Sequence, residues 1–225
     1  MPVYDFHTHT FLSDGVLSPM ELIRRAYFNG YQAIAITDHV GIADQERTIP
    51  ILVEECGNAM AKWNIIAIPG VEITHVPHEL IPQAAHKAKS LGARLVIVHG
   101  ETIVEPVETG TNSAAVDSPD VNVLAHPGLI TESDAGVAAT KGVFLELSPR
   151  RGHSLTNGHV AKVALSKGAL LLLNSDTHQP DDLLTDEFAK KTILGAGLTD
   201  EHLYQVTTAN PQKLLAELGY SAPRP

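Results

Sequence analysis

Twelve histidines stand in a chain of 225 residues, and half of them sit directly behind short apolar runs. His7-Thr8-His9 follows the run Val3–Phe6, with Asp14-Gly15 a few residues on. Asp38-His39 closes the run Ala33–Thr37. Glu72 comes after Ile65–Ile68, across a Pro69-Gly70 break. His99-Gly100 follows Leu95–Val98, His126-Pro127 follows Val121–Ala125, and Asp176-Thr177-His178 follows Ala169–Asn174. Imidazole suits Zn, Mn and Fe, and carboxylates bridge pairs of such ions. Nine groups of this kind (His7, His9, Asp14, His39, Glu72, His99, His126, Asp176 and His178) exceed the roughly six ligands one ion accepts. They call for two or three divalent transition-metal ions. One histidine behind a strand is ordinarily just a satisfied polar residue. Six of them with three acids, all at run ends, form a pattern. His86 and His202 lie on helix faces and read as solvated. His75 and His78 in the loop after Glu72, and His153 and His159 past the run Val143–Leu147, are weaker candidates for touching a substrate. Asp38 reads as an orienting or turn residue beside His39.

The elements that must position these groups are legible as alternation. Seven apolar, β-branched runs, the six above plus Val143–Leu147, are separated by amphipathic segments, the βα pattern of a parallel sheet. Ser18-Pro19-Met20-Glu21 combines an N-cap, a proline at the first helical position and a capping-box glutamate. That helix should stop at Asn29-Gly30. Further helices are expected near Pro50–Trp63, Glu79–Leu91, Gly158–Lys167 and Gln212–Leu218, with a short one around Ala114 in the less regular stretch 101–119. A parallel barrel gathers every C-terminal strand end on one face, whereas an open doubly wound sheet uses a single crevice. Ligands behind so many strands therefore predict a seven-stranded barrel. One domain is expected over residues 1–220, with 221–225 as a frayed tail.

Composition bounds the partners. The chain is 44% hydrophobic and 19% charged, an ordinary globular balance rather than a disordered one. Its 26 acids against 16 bases leave a formal charge of −10, which disfavours general nucleic-acid binding and leaves nucleic acid only as a substrate. The longest apolar run, Ala169–Leu173, is far short of the ~20 residues that span a bilayer, so no membrane partner is expected. A strand-like run from Val3 leaves no room for a signal peptide, and the lone Cys56 makes no internal disulfide. A cytoplasmic location is the expectation. Oligomeric state is not specified.

Taken together, His7-Thr8-His9 with Ser13-Asp14-Gly15, Thr37-Asp38-His39, His126-Pro127 and Asp176-Thr177-His178 resemble the PHP (polymerase and histidinol phosphatase) superfamily, with Glu72 and His99 in the matching order. The resemblance runs from about residue 3 to 215 and implies a distorted (β/α)7 barrel with a trinuclear metal centre. It implies that His7 and His9 hold a first metal with Asp176, that Glu72 bridges to a second completed by His99 and His126, and that Asp14, His39 and His178 hold a third. Glu72, Asp176 and His178 are then the groups nearest catalysis. Some members of the family carry His where this chain has Asp14. In the histidinol-phosphatase branch an arginine behind the sixth strand contacts phosphate, and Arg150 or Arg151 is the match.

The chemistry implied is hydrolysis of a small phosphomonoester, such as histidinol phosphate or a nucleotide, by a metal-bridged hydroxide. Three divalent ions among Asp14, Glu72 and Asp176 leave the centre net positive and suited to a phosphate dianion, in line with metal-assisted displacement at phosphorus. An arginine fork adds bidentate phosphate contact. Two other readings compete. Asn112–Ala115 through His126-Pro127 also resembles the barrel subunit of ribonuclease P, a non-catalytic RNA-assembly protein, but such a protein should be basic. An amidohydrolase cutting C–N bonds shares the HxH and the late Asp, but does not use Asp14, His39 and His178, and prefers eight strands.

Overall fold

Seven short apolar strands run parallel around a nearly closed barrel, each followed by a helix that covers it. The structure is a computed structural model and describes residues 2–221. In chain order the elements are β1 (Val3–Asp5), α1 (Pro19–Phe28), β2 (Tyr31–Ile36), the two-residue β3 (His39–Val40), α2 (Gln45–Met60), β4 (Ile66–Ile73), α3 (Ile81–Ser90), β5 (Leu95–His99), α4 (Thr111–Asp117), β6 (Val123–Ala125), α5 (Glu132–Lys141), β7 (Phe144–Leu147), α6 (Asn157–Lys167), β8 (Leu171–Leu173), α7 (Asp186–Gly195), α8 (Asp200–Tyr204) and α9 (Asn210–Glu217). The strands neighbour one another in the order β1-β2-β4-β5-β6-β7-β8, with β3 pairing off this path onto β4. Residues 222–225, most of the expected frayed tail, lie outside the described residues.

Both faces of the sheet are apolar because both are covered. Ile34 and Ile36 of β2 face the helices, in one cluster with Leu22, Ile23 and Leu52. Ala33 and Ala35 face the barrel interior with Phe6, Ile68, Ile97, Val123 and Phe144. Burying a side chain such as Phe144 contributes about 1.5–3 kcal/mol. Leu214, Leu215 and Leu218 of α9 join this inner cluster, and Asn210 Nδ2 donates to Leu171 O at 2.8 Å, at the start of β8. The C-terminal helix thus stoppers the end of the barrel opposite the ligand-bearing strand ends. Among the described residues no helix is long and apolar enough to cross a membrane.

The barrel is distorted at its seam. Strands β1 and β8 do not form a ladder with each other. Side chains stand in for it: Phe6 N donates to Asn174 Oδ1 and Ser175 N to Asp5 Oδ1, each at 3.0 Å. Backbone bonds resume only beyond the strand ends, Asp176 N to His7 O at 3.0 Å and His9 N to Thr177 O at 2.8 Å, around a Thr8–Thr177 bridge. Closure therefore happens at the mouth and fixes His7-Thr8-His9 against Asp176-Thr177-His178.

Three sequence expectations shift. Pro69-Gly70 is not a break: β4 runs through it to Ile73. Pro69 is the last residue in register with β2, Gly70 the first in register with β5, so the pair is where the strand changes neighbours. Helix α2 begins at Gln45, before Pro50. The proline costs one bond to the exposed Glu46 carbonyl in the second turn, and the buried Gln45 and Ile49 hold the first turn in place. Helices α5, α7 and α8 were not anticipated. The first has weak amphipathy, Glu-Ser-Asp-Ala-Gly-Val-Ala-Ala, although its Thr131 cap and left-handed Gly142 are both present.

A Cβ at Gly70 would lie 2.9 Å from Thr37 Cγ2 and 3.0 Å from Leu95 O. Gly70→Ala is therefore expected to destabilise the fold by about 1–3 kcal/mol through overpacking, read as a lowered denaturation midpoint. An unchanged midpoint would show that β4 can shift at the register change.

Candidate metal centre

At the mouth of the barrel the Glu72 carboxylate is fully buried and surrounded by imidazoles. Oε1 lies 3.3 Å from His7 Nε2 and 3.5 Å from His126 Nε2; Oε2 lies 2.7 Å from His39 Nδ1 and 3.7 Å from His9 Nε2. β4 delivers this side chain because it continues past Pro69-Gly70, with Glu72 in register with His39 of β3 and Ile97 of β5. Burial opposes the charge, but His7 and His39 hold the carboxyl well below its usual range. Asp176 is the second hub. Its oxygens lie 3.3 Å from His9 Nε2, 3.8 Å from His7 Nε2, 3.9 Å from His126 Nε2 and 3.4 Å from His178 Nδ1. His126 and Asp176 leave their strands at positive φ, 26° and 57°, a backbone cost that gathers at functional sites.

Asp14 reaches the cluster from the loop behind β1. Its Oδ2 lies 3.2 Å from His178 Nε2 and 3.6 Å from His39 Nε2. The loop is shaped by the buried Asp38, which accepts from Thr10 N and Thr10 Oγ1 at 2.8 Å and from Ser13 Oγ at 2.7 Å. Asp38 is thus an orienting residue, the role its place beside His39 suggested. Gly15 completes the turn: a Cβ there would fall 2.3 Å from His9 O, so any side chain would push the loop away.

The ligand atoms gather into overlapping groups, each within 4.8 Å: His7, His9 and Asp176; His7, Glu72 and His126; His9, Asp14, His39 and His178; and His126, His153 and Asp176. Of the nine residues singled out from the sequence, only His99 stays outside these groups. Its ring packs edge-on against His126 with centroids 4.5 Å apart, but its Nε2 is 2.8 Å from Glu105 Oε2. That hydrogen bond, before the charges of the neighbouring imidazoles, holds the Glu105 carboxyl down to about 2.

Of the two arginines, Arg150 turns inward. Its Nη1 donates to Asp176 O at 3.2 Å and lies 2.8 Å from His178 Nδ1, and its Nε is 3.5 Å from Asp176 Oδ2. Arg151 is exposed. Three residues of the site carried no strong sequence signal. His153 is buried, stacks on His126 with centroids 4.0 Å apart and is held by Thr102 Oγ1 at 2.8 Å from its Nδ1; burial pushes its imidazole down to about 4. Glu105 lies in an irregular loop. Glu146 sits mid-strand in β7, where it reads as one polar residue in an apolar run. Its Oε2 accepts from His7 Nδ1 at 2.9 Å and from Asn174 Nδ2 at 2.8 Å, and both side chains are fully buried. That contact orients His7 so that Nε2 faces Glu72 and Asp176, as an outer carboxylate does behind a metal-binding histidine.

Whether this set suits metal ions is decided by its own unsatisfied atoms. His7 Nε2, both ring nitrogens of His9, and Glu72 Oε1 are buried without hydrogen bonds. Buried polar atoms are ordinarily paired, and lone pairs converging on a shared space are satisfied by cations. Burial also pushes His9 down to about 3, keeping it in the neutral form that ligates. The donor set therefore fits divalent ions.

The comparisons agree with this geometry. The chain is 48% identical over 216 residues, covering 96% of it and 99% of the relative, to an uncharacterised protein of Methanocaldococcus jannaschii. It is 27% identical to a probable phosphatase of Thermoanaerobacter sp., over 96% of this chain and 95% of that one. Among solved structures, a chain of an archaeal ribonuclease P bound to mature tRNA superposes with a TM-score of 0.71 at 14% identity, covering 95% of this chain and 90% of that one. The histidinol phosphate phosphatase of Lactococcus lactis, solved with zinc, L-histidinol and phosphate, superposes with a TM-score of 0.61 at 16% identity, covering 88% and 94%. At these identities the two structures share the fold alone. The family model for the PHP domain matches residues 5–185, and with most of the chain so covered, the protein belongs to the PHP domain family.

Proposed function

We propose that the protein is a metal-dependent phosphoesterase that releases phosphate from a small phosphomonoester at a trinuclear centre. One observation carries this reading: a third donor group, Asp14, His39 and His178 with His9, stands beside two groups that share His7, one containing Glu72 and the other Asp176, with the Arg150 guanidinium against His178. An acyl substrate offers one developing oxyanion, whereas a phosphate monoester offers three oxygens that several cations and a guanidinium can hold together. In this reading His7, His9 and Asp176 hold the first ion, and Glu72 bridges it to a second held by His126. His99 joins His126 if Glu105 releases it. Asp14, His39 and His178 hold the third, with His9 at its edge. Ions bound there would lower the pKa of a shared water and neutralise charge on the phosphoryl group. Arg150 would hold the phosphate, Asp38 the Asp14 loop, and Glu146 the orientation of His7. The fold likeness to a ribonuclease P chain favours no RNA-assembly role here, because a net charge of −10 repels an RNA backbone.

Protein purified without chelator is expected to contain two or three Zn, Mn or Fe ions per chain by elemental analysis, and Glu72→Gln to lose metal and about 10²-fold or more in activity. A single ion after metal-supplemented reconstitution, or near-normal turnover of the variant, contradicts the assignment.

Metal binding should release protons. Burial opposes protonation of His39, but Glu72 raises its pKa to about 8; Glu146, Glu72 and Asp176 raise His7 well above its usual value despite its burial. Both therefore hold protons at pH 7 in the metal-free protein and must give them up to ligate. Affinity is expected to rise between pH 6 and about 8, with proton uptake by buffer visible in calorimetry across buffers of different ionisation enthalpy. A pH-independent affinity would place the ions elsewhere.

Phosphate release from at least one small phosphomonoester is expected with Mn or Zn present, reduced by His178→Ala with the fold retained. Arg150→Ala should chiefly raise KM, since uniform substrate binding is what it removes, and Arg151→Ala should do so far less. Turnover of N-acyl or lactam substrates with no phosphate release from a broad panel would favour the amidohydrolase reading.

A further inference from the structure

Beside the donor cluster lies a second, smaller cavity of about 270 Å³. Ile73 and Val98, at the ends of β4 and β5, form its inner wall, and Ile81, Pro106 and Val107 form its sides. His75 and His99 stand at its entrance, and both also line the wider space of about 560 Å³ that covers Asp14 and His39. The two spaces therefore adjoin across these histidines. His75 holds its position at φ 56°, a left-handed conformation disfavoured for a side-chain-bearing residue and retained where the surroundings impose it.

The far wall is clamped in place. His78 N donates to Glu108 Oε2 at 3.0 Å, and His78 Nδ1 lies 3.3 Å from Glu108 Oε1. Gly110, at φ 100°, passes over the His78 ring so closely that a Cβ there would be 3.4 Å from it. A cavity whose walls are already held loses little freedom when it is filled. No lysine or arginine lines it, and Glu108 and Glu105 flank it. An additional anionic group would meet carboxylates there and no fixed cation, whereas an apolar body would meet valine, isoleucine and proline. At about 270 Å³ it is smaller than the pockets that take drug-sized ligands, so the occupant is compact.

We propose that this pocket receives the leaving group of the substrate, and that the substrates are phosphomonoesters of alcohols carrying a compact, apolar, uncharged body such as a single aromatic ring, to the exclusion of bisphosphates and carboxylated phosphates. This rests on the phosphoesterase reading, with the phosphate at the metal centre and the rest of the molecule passing between His75 and His99.

The test uses the metal-reconstituted full-length protein and two inert probes, phenylphosphonate and methylphosphonate, by titration calorimetry. Phenylphosphonate is expected to bind tighter by about 10-fold or more, the size of discrimination a hydrophobic pocket supplies. Val107→Trp fills the pocket and is expected to bring the two affinities to within about 3-fold of each other, with metal content at the wild-type level. Val107→Ala enlarges it and should shift preference towards naphthylphosphonate over phenylphosphonate, which keeps the test open should the tryptophan variant fail to fold. Equal affinities in the wild type, or a ratio unmoved by both substitutions, overturn the pocket assignment. If esters are hydrolysed but phenyl and glycerol phosphates react alike, the pocket assignment alone fails. If neither phosphonate binds and no ester releases phosphate from fully metallated protein, the phosphoesterase reading fails with it.

Discussion

A fully buried carboxylate with four imidazoles around it, Glu72 among His7, His9, His39 and His126, is the arrangement on which the mouth of this barrel depends. Taking a charged group out of water costs several kcal/mol unless opposite charge and hydrogen bonds replace the solvent. Here the compensation comes from four histidines on three other segments, so the strand ends carrying them must meet within a few ångströms. The seam between β1 and β8 closes through Asp5, Asn174 and the Thr8–Thr177 bridge at just this level. The last stretch of barrel closure and the assembly of the donor set are one event.

The layers beneath follow from that demand. The barrel interior is filled by apolar side chains and stoppered by α9, so water cannot reach the donors from below. Between that plug and the donors lies a thin polar layer: Glu146, Asn174 and Asp5. Glu146 connects His7 to Asn174, and Asp5 ties Ser175 at the seam. Asp38 does the equivalent work sideways, holding the loop that brings Asp14 over the third donor group. The metal-type residues are thus oriented by a second set of acids, each buried and each engaged.

The surroundings of the cluster divide its chemistry between two sides. Arg150 lies against His178 and Asp176, a cationic side suited to phosphate. On the opposite side His99 is drawn away by Glu105, and the apolar pocket behind it opens between β4 and β5. A net-negative chain that held divalent ions at this cluster, with a guanidinium beside them, would attract compact anions to that point. This is a physical reason for a small phosphorylated substrate and against a long polyanion tracking across the surface.

Much of this was legible in the chain before folding. Behind six of the seven runs the residue types alone named nine candidate metal donors, eight of which the fold brings together, and parallel β/α alternation required their convergence on one face, because in a closed parallel sheet all C-terminal ends point the same way. Periodicity and caps located α1, α6 and α9 to within a few residues. What the chain did not disclose depends on distance across the fold. Glu146 looks like a stray charge in a strand until β7 is placed under His7. His153 and Glu105 sit in irregular segments whose paths are set by packing against neighbours. Arg150 and Arg151 are equivalent as adjacent letters, and only the turn behind β7 sends one inward. Pro69-Gly70 reads as a stop because proline lacks a donor, yet in the barrel it marks an exchange of neighbours in which that donor is not needed. Local residue types specify which chemistry is available; which atoms meet, and which arginine, carboxylate or pocket stands beside them, is decided by the closure of the barrel, because those contacts join residues far apart in the chain.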